Sequence, residues 1–444
     1  MRGRVGIMSV AVTPPESAYP PGPPARRGLF ETLKYWRDFA RDPVAFVGNR
    51  FVTYGDIYHA QNDDNHLYVL KHPEHVHEVL VTQAAAFTKQ RDDLEQVLGK
   101  GLFMAEGDLW RKQRRLIQPA FHRSAIASYA QVIDQYTSEL VDTWTDGETR
   151  DISDDMMALT LRIVCKCLFD HDVRSQTDRV GRAMDALHRA AVSPSLLPGW
   201  VPSPARARLK RARQGLWEII DGMVANRRAA GDAHERTDLL SMLLVAGEDG
   251  GMSDQQLRDE LVTMFLAGHE TTSHGLTWAF YLLSQNPGER DRLEREAAQP
   301  EPGEWVGAMV RESLRLYPPA YVFGRVAVED VSVGGYDISA GSEVLVWLYH
   351  THHDARWFPD PEAFKPERFL AGAEPPIDKR AWLPFGAGQR LCIGKSFAEL
   401  EMQRVLVGVA KRARLDLVQG HRVAMQPRIT LTPKHGMRMT VSII

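Results

Sequence analysis

One long helical stretch constrains the fold of this chain more than any other feature. Ser253 and Gln256 form the Ser-x-x-Gln pattern of a capping box, which marks the start of a helix. Leu257 and Leu261 follow at helical spacing, and the pattern continues to about Gln285. At about 1.5 Å per residue the helix would be roughly 50 Å long. A helix of that length is expected to cross the whole molecule.

The rest of the chain predicts a mainly α fold. Helical periodicity covers most of residues 74–320, and Gly and Pro clusters interrupt it. These interruptions lie at 194–204, 247–251 and 286–288. No internal repeat or low-complexity linker divides the 444 residues. We therefore expect a Pro-rich lead-in over residues 1–28 and one large domain over 29–444.

Two regions of the sequence predict a smaller β-rich portion. Residues 51–70 contain β-forming runs on either side of the polar turn 62–65, which indicates a hairpin. A second β-rich region covers residues 331–346, where glycines separate short apolar runs. Residues 31–39, before the hairpin, have helical spacing.

Composition and charge exclude several classes of protein. The net charge of −3 gives no general reason to expect nucleic-acid binding. The apolar stretch Val5–Val12 is far shorter than the roughly 20 residues of a membrane-spanning helix. No signal-peptide pattern follows it, so a cytoplasmic protein without a membrane anchor is expected. The 3 cysteines are too few for a disulfide framework.

The segment Phe385–Gly394 carries the strongest chemical signal. It reads Phe-Gly-Ala-Gly-Gln-Arg-Leu-Cys-Ile-Gly, and a helical stretch begins at Ser396. Glycines such as Gly386 and Gly394 let the backbone turn tightly and approach a flat cofactor. Backbone N–H groups and a nearby helix start favour a thiolate at Cys392.

This segment resembles the cysteine loop of cytochrome P450 proteins, whose pattern is FxxGxRxCxG. The resemblance covers roughly residues 30–440. It implies the P450 fold and haem b (iron protoporphyrin IX) as the cofactor, with Cys392 as the ligand of the iron. An iron-bound thiolate favours cleavage of the O–O bond.

Two further segments match the family in the same order along the chain. Glu312-Ser313-Leu314-Arg315 resembles the ExxR motif, and residues 364–369 resemble the PERF segment. The resemblance implies that Glu312, Arg315 and Arg368 form a buried, salt-bridged triad behind the cysteine loop. Its role would be structural support and not catalysis.

Four residues are candidates to hold the haem propionates. Trp110 and Arg114 match the family's WxxxR motif and lie on one face of a predicted helix. Arg325 follows the ExxR motif at the usual family distance, and Arg390 lies inside the cysteine loop. Arginine suits this role because its planar guanidinium binds carboxylates bidentately.

The middle of the long helix contains Ala-Gly-His-Glu-Thr-Thr, which interrupts an apolar run. Glu270 and Thr271 resemble the family's acid–alcohol pair, in which Thr271 would contact dioxygen and Glu270 would relay protons. Gly268 would leave room for dioxygen.

The same stretch does not form a zinc-protease motif. His269 and His274 are five residues apart and face different directions on the helix, so they cannot bind one metal ion together.

These residues predict a monooxygenase that inserts one oxygen atom from O₂ into an apolar or amphipathic small molecule, by hydroxylation or epoxidation. A peroxide-using peroxygenase and a non-enzymatic haem-binding sensor are the alternatives. Both would have less need of the acid–alcohol pair. Matching contact regions of the family imply a mostly apolar substrate pocket. It would be lined by Met264, Phe265, Ala267, Ala320, Tyr321, Val322 and Ile429, with further contacts near residues 87–103 and 193–204.

Electrons must come from another protein, because the chain contains neither a nucleotide-binding GxGxxG after a strand nor a P-loop. The family implies a ferredoxin or flavodoxin with its reductase. A basic patch near the haem-binding segments would steer an acidic partner, and ordinary solvated charge is the alternative interpretation. The patch consists of Arg111, Lys112, Arg115, Lys379, Arg380 and Lys395. A monomer is expected.

Overall fold

The structure is a computed structural model that describes residues 19–26, 28–89, 98–173, 181, 204–248, 250–299 and 303–444. The longer helices are α1 Leu29–Arg41, α2 Pro43–Tyr54, α3 Pro73–His77, α4 Gly107–Ile117, α5 Arg123–Val141, α6 Ile152–Phe169, α7 Pro204–Ala230, α8 Leu239–Glu248, α9 Asp254–Gln285, α10 Pro287–Ala297, α11 Glu304–Leu316, α12 Leu348–His352 and α13 Lys395–Ala410. The strands are β1 Ile57–Asn62, β2 Asn65–Leu70, β3 Phe87–Thr88, β4 Thr149–Asp151, β5 Phe323–Ala327, β6 Val331–Val333, β7 Tyr336–Ile338, β8 Glu343–Val346, β9 Ala413–Leu417, β10 Met425–Pro427, β11 Leu431–Pro433 and β12 Arg438–Ile443. Shorter helical turns are Glu78–Thr82, Ala84–Ala86, Gln118–Phe121, Ala233–Glu235, Pro366–Phe369 and Gly388–Arg390.

The chain forms two compact units. The first comprises the described residues up to Thr88 together with Gly324–Trp347, and the second comprises the described residues of 89–323 and 348–444. Strands β1, β2, β8, β5 and β3 form a sheet in that order, in which β2 and β8 are parallel. The mainly α fold with a smaller β-rich portion is confirmed.

The predicted hairpin is present, but its first run is shorter than expected. Strands β1 and β2 pair antiparallel, from Ile57 opposite Leu70 to Asn62 opposite Asn65. The prediction was wrong for residues 51–54, which end helix α2. Asp42 caps this helix by accepting a hydrogen bond from the Ala45 N–H, and Val44, Val47 and Phe51 bury one face. Local capping and burial therefore outweigh the β propensity of this segment.

The second unit contains the long helix. Helix α9 runs from Asp254 to Gln285, and the Ser253–Gln256 capping box is formed in both directions. Helix α6 packs antiparallel to α9: the Thr160 hydroxyl donates to the His269 carbonyl oxygen at 2.9 Å, and Ser273 contacts Met157. Buried Phe169 and Trp278 belong to the core around these helices. Among the described helices, none is both long enough and apolar enough to cross a membrane.

Several expectations fall partly outside the described residues. These are most of the lead-in, the predicted break and substrate segment at 193–203, and residues 90–97 of the loop before α4. The described part of the lead-in runs alongside β1. The Arg26 N–H donates to the Gln61 carbonyl oxygen at 3.0 Å, and the His59 N–H donates to the Pro21 carbonyl oxygen at 3.1 Å.

Candidate active site

The cysteine loop folds back on itself immediately before helix α13. The Cys392 N–H donates to the Phe385 carbonyl oxygen at 3.0 Å. Gly386 and Gly388 have φ angles of 73° and 65°, which favour glycine. The turn therefore needs these glycines, and it presents Cys392 three residues before the start of α13 at Lys395.

Cys392 as a residue is exposed to solvent on one side, but many protein atoms lie around its thiol and bury it on the other sides. This burial raises the pKa of Cys392, while the Gly394 N–H and the positive charges of Arg114 and Lys395 act in the opposite direction. A metal ion deprotonates a coordinating thiol outright. The surrounding N–H and positive charges are what a metal-bound thiolate requires.

Helix α4 lies against the cysteine loop. Its Arg114 Nη1 donates to the Leu391 carbonyl oxygen at 3.0 Å, and the Arg390 guanidinium lies over the Trp110 ring, 4.4 Å from its centroid. Trp110 and Arg114 are one helical turn apart. The structure therefore brings together three of the four predicted propionate ligands.

Sequence reasoning missed one charged neighbour of this cluster. Arg390 forms an ion pair with Glu106, and its Nη1 donates to the Ala105 carbonyl oxygen at 2.8 Å. Burial lowers the pKa of Arg390, and the Glu106 carboxylate opposes this effect. Glu106 also accepts the Lys89 N–H. No motif marks this glutamate, because its partner lies 284 residues away.

Arg325 belongs to the other compact unit. It lies in β5, where it is half-buried, and its Nη1 donates to the Gly324 carbonyl oxygen at 2.8 Å.

One face of α9 opens in the middle of an otherwise buried helix. Ala267 is exposed, and Gly268 and Thr271 are partly exposed, whereas their neighbours His269 and Glu270 are buried. These positions follow helical spacing, so they share one face.

The same face meets helix α13 one turn later. A Cβ added at Gly275 would lie 3.0 Å from the Met402 side chain, which shows how closely the two helices approach. Helix α13 therefore connects the cysteine loop to the open face of α9.

Gly268 has a packing reason of its own. A Cβ added there would lie 2.6 Å from Cγ2 of Val164 on α6. The glycine allows α6 and α9 to pack closely, and its predicted role towards dioxygen stays a prediction.

The acid–alcohol pair points in two directions. Thr271 Oγ1 donates to the Ala267 carbonyl oxygen at 2.8 Å and lies on the open face. The Glu270 carboxylate is buried, accepts a hydrogen bond from the Thr430 hydroxyl, and lies 3.8 Å from Nε2 of His274. Sequence reasoning missed Thr430, which is 160 residues away. The i,i+4 spacing of Glu270 and His274 was the available signal for the second contact.

The predicted pocket residues differ in exposure. Ala267 and Ile429 are exposed, and Ala320 and Val322 are partly exposed. Met264, Phe265 and Tyr321 are buried. The Phe265 ring packs edge-on against the His269 ring with centroids 5.6 Å apart, and the Tyr321 hydroxyl donates to the Arg428 carbonyl oxygen at 2.8 Å. Phe265 therefore packs against His269 and Tyr321 anchors the backbone at Arg428, and the role of both in a substrate pocket stays a prediction.

The ExxR residues form a buried ionic cluster. Arg315 binds Glu312 bidentately, with Nε–Oε2 and Nη2–Oε1 distances of 2.7 Å, and Arg368 Nε lies 3.3 Å from Glu312 Oε1. The side chains of Glu312 and Arg315 are 0% exposed. Burial of both charges makes each dependent on the other.

A chain of hydrogen bonds joins this cluster to the segment that leads into the cysteine loop. Arg315 Nη1 donates to the His352 carbonyl oxygen at 2.9 Å, and His352 Nε2 accepts the Leu383 N–H at 3.1 Å. Burial lowers the pKa of His352 well below its ordinary value, so the imidazole is neutral and can accept this bond. The cluster therefore holds the start of the loop in place.

Two carboxylates of α9 hold the loop that precedes α4. Asp259 accepts the Lys100 N–H and Glu260 accepts the Leu102 N–H, both at 2.9 Å. A Cβ added at Gly101 would overlap the Thr263 hydroxyl, so the backbone of this loop lies directly on the helix. Burial raises the pKa of Glu260 to about 8.

This raised pKa predicts a pH-dependent stability. The unfolded chain releases the proton near the ordinary pKa of 4.5, while the folded protein keeps it to about pH 8. The folded state binds more protons in that window, so its free energy of unfolding decreases as pH rises, by up to about 5 kcal/mol. Glu260→Gln retains the acceptor for Leu102 and removes the titration. Its thermal midpoint is expected to decrease less than that of the wild type over this window.

The exposed Glu374→Gln is the control for the loss of a charge, since no titratable partner of Glu374 is found among the described residues. It is expected to keep the pH dependence of the wild type. Parallel curves for wild type and Glu260→Gln would show that Glu260 is ionised throughout.

Comparisons with known proteins identify the family. The family model described as Cytochrome P450 matches residues 20–439. Two proteins of Streptomyces melanosporofaciens are similar: cyclooctat-9-en-7-ol 5-monooxygenase is 34% identical over 92% of this chain and 94% of its own length, and cyclooctatin synthase is 33% identical over 88% and 90%. The crystal structure of CYP175A1 from Thermus thermophillus superposes with a TM-score of 0.78 at 28% identity, covering 94% of this chain and 99% of that one.

The residues of the site fit the haem that this family binds. An exposed thiol lies in a loop with N–H and positive charge around it, and an aromatic ring and two arginines lie beside it. A thiol ligand for iron and cations for carboxylates are the donor set that a haem needs. The chain belongs to the cytochrome P450 family and is a haem-containing monooxygenase.

Proposed function

We propose that this monooxygenase hydroxylates or epoxidises an apolar or amphipathic small molecule, with electrons from a separate ferredoxin or flavodoxin. The observation that carries the proposal is the open face of α9, where the Thr271 hydroxyl stands beside exposed Ala267 while the carboxylate of Glu270 is buried behind it. An apolar face with one hydroxyl suits an apolar substrate and a proton-dependent reaction.

Individual residues would hold the cofactor. Cys392 would bind the iron of haem b, and Trp110, Arg114 and Arg390 would hold its propionates. Bound haem supplies the activation of O₂ for which a thiolate ligand is suited. The protein contributes the positive charge of Arg114 near the thiol and the bidentate geometry of the arginines.

Proton delivery would depend on two adjacent residues. Thr271 Oγ1 is on the open face, where it can bind a water molecule or dioxygen, and the Glu270 carboxyl would exchange protons with that water. The helix rotates by about 100° between the two residues, so a water chain is needed to connect them. Thr271 would therefore organise the water, and Glu270 would replenish its protons.

The substrate class is supported by a relative. The name cyclooctat-9-en-7-ol 5-monooxygenase describes oxidation of an unsaturated alcohol, which is amphipathic. Exposed Ile429 and partly exposed Ala320 and Val322 offer apolar contacts for a molecule of that kind. A substrate is best sought by screening compounds for a high-spin shift of the haem spectrum.

The redox partner would bind on the side of the cysteine loop and α4. Arg111, Lys112 and Arg115 are exposed on α4, and Lys379 and Arg380 are exposed before the loop. An acidic ferredoxin or flavodoxin would be steered to this positive surface, with an association rate that falls as salt increases. We propose that residues 29–444 act as one monomeric catalytic domain.

Replacing Thr271 with alanine tests the proposed proton route. Haem content and the spin shift should persist, because the thiol and the propionate residues are untouched. The ratio of product formed to reduced cofactor consumed is expected to fall, on the order of 10²-fold if positioned proton transfer is lost, with peroxide as the alternative product. The assay uses a surrogate ferredoxin under O₂ and any compound that gives a spin shift.

Thr272→Ala is the matched control. Thr272 also donates to the carbonyl oxygen four residues earlier, but it is buried and faces away from the open face. Its ratio should stay near that of the wild type. An unchanged ratio in Thr271→Ala would contradict the proton route, and efficient product formation with peroxide alone would favour a peroxygenase.

A further inference from the structure

The turn between β10 and β11 is fastened to helix α9 at two points. Thr430 Oγ1 donates to Glu270 Oε1, and Nε1 of Trp278, two turns further along the helix, donates to the Leu431 carbonyl oxygen at 3.0 Å. Both donors and acceptors are buried. Such bonds are retained because an unmade buried hydrogen bond is costly.

The turn is also fastened to the segment after α11. The Leu431 N–H donates to the Pro319 carbonyl oxygen at 3.0 Å, and the Tyr321 hydroxyl donates to the Arg428 carbonyl oxygen at 2.8 Å. Within the turn, the Arg428 N–H donates to the Thr430 carbonyl oxygen at 3.0 Å. Both ends of the turn are therefore held, and its central residues cannot move independently of each other.

Adjacent side chains of this turn have opposite surroundings. Ile429 is 36% exposed, whereas Thr430 is 6% exposed and reaches Glu270. A molecule that presses on Ile429 would displace the backbone that carries the Thr430 hydroxyl. The turn thus lies between an exposed apolar side chain and the acid of the α9 pair.

We propose that Thr430 is a positioning residue that orients the Glu270 carboxyl, and that it couples contact of a substrate with Ile429 to that orientation. The inference rests on the proposed function, in which Ile429 contacts the substrate and Glu270 handles protons. A carboxyl held towards Thr430 is turned away from the open face, and release of this bond lets it turn towards the water beside Thr271. The Glu270 carboxyl would thereby turn towards the water only when a substrate contacts Ile429.

A titratable neighbour of this carboxyl among the described residues, His274, provides the readout. His274 Nε2 lies 3.8 Å from Glu270 Oε1, so the ring carbon signals of His274 change when the carboxyl moves. They can be recorded by NMR in the diamagnetic reduced carbon monoxide complex of ¹³C-histidine-labelled protein. The His274→Gln variant identifies the signal by its loss. This measurement needs no turnover.

Three variants test the coupling. Thr430→Val keeps the shape of the side chain and removes the hydroxyl, and Thr430→Ser keeps the hydroxyl. Thr432→Val is the matched control, because Thr432 is 7% exposed and its hydroxyl donates to the Gln426 carbonyl oxygen at 3.1 Å, away from Glu270. Wild type, Thr430→Ser and Thr432→Val should shift the His274 signal when a spin-shifting substrate is added. Thr430→Val should show no substrate-dependent shift.

The same variants are expected to differ in coupling efficiency. With the Thr430–Glu270 hydrogen bond removed, Thr430→Val should consume reduced cofactor without substrate on the order of tenfold faster than the control, the factor that one hydrogen bond represents. If Thr430→Val does not retain haem, Thr430→Ala serves in its place.

The proposal is overturned if the His274 signal responds to substrate in Thr430→Val or Thr430→Ala as it does in the wild type. It is also overturned if Thr432→Val loses the response, because that result would indicate a general effect on the hairpin. Failure of the proposed function is distinguishable: it would leave the product ratio of Thr271→Ala unchanged, while the His274 response would still depend on Thr430.

Discussion

Replacing Cys392 with alanine is expected to abolish the red-shifted Soret band of the reduced carbon monoxide complex, since that band depends on thiolate ligation. The other two cysteines cannot take over this role. Cys165 and Cys167 are buried in α6, and burial raises the pKa of both thiols. A thiol buried in apolar surroundings does not ionise readily. Because both thiols lie within a regular helix, neither can take the place of the thiol that the cysteine loop presents. The difference spectrum of the reduced protein with and without carbon monoxide measures the band.

Cys167→Ala is the control for this spectrum. It removes a thiol from a packing position, so the band should persist with at most a modest loss of stability. Retention of the band in Cys392→Ala would show that a different residue binds the iron. Loss of the band in Cys167→Ala, at full haem content, would contradict the assignment equally.

Replacing Arg315 with alanine is expected to give poorly folded, haem-depleted protein. Glu312 would remain buried without its bidentate partner, and the carbonyl oxygens of His352, Pro361 and Ala363 would lose their donor. Breaking a buried ion pair from one side costs about 3–5 kcal/mol, a large fraction of the stability of most proteins. Haem content per chain and the thermal midpoint are the measurements.

Arg311→Ala is the matched control, one turn earlier on α11. Arg311 is partly exposed and donates to the Phe369 carbonyl oxygen at 3.2 Å. Its loss should reduce the thermal midpoint much less, and the haem content should persist. A stable, fully haem-loaded Arg315→Ala protein would show that the buried cluster does not support the cysteine loop.

Local sequence signals were sufficient where the interaction is local. The capping box at Ser253 and Gln256 predicted the start of α9, because both partners lie within one turn of the helix. Glycines in the cysteine loop predicted a tight turn before a helix. The turn requires positive φ angles at Gly386 and Gly388, which glycine adopts without a steric clash. Spacing alone also placed Trp110 and Arg114 on one side of α4, where both lie near the loop residues Arg390 and Leu391.

Secondary-structure propensity gave the wrong prediction where tertiary packing determines the local structure. Residues 51–54 have β-forming side chains, yet they end a helix whose cap at Asp42 and buried Phe51 stabilise it. The burial of Phe265, whose side chain is 0% exposed and packs against His269, is likewise set by tertiary packing. Neither result can be predicted from the spacing of residues, because the burial of a side chain depends on which neighbouring helix packs against it.

The sequence by itself determined the mainly α fold, the long helix, the cysteine loop and the ExxR pair. Each of these depends on residues a few positions apart, whose geometry the backbone dictates. Only the tertiary structure decided the partners of the buried charges. Glu270 meets Thr430 and Arg390 meets Glu106, at separations of 160 and 284 residues. A buried charge binds whichever polar group the packing brings to it, and no local rule of spacing encodes that choice.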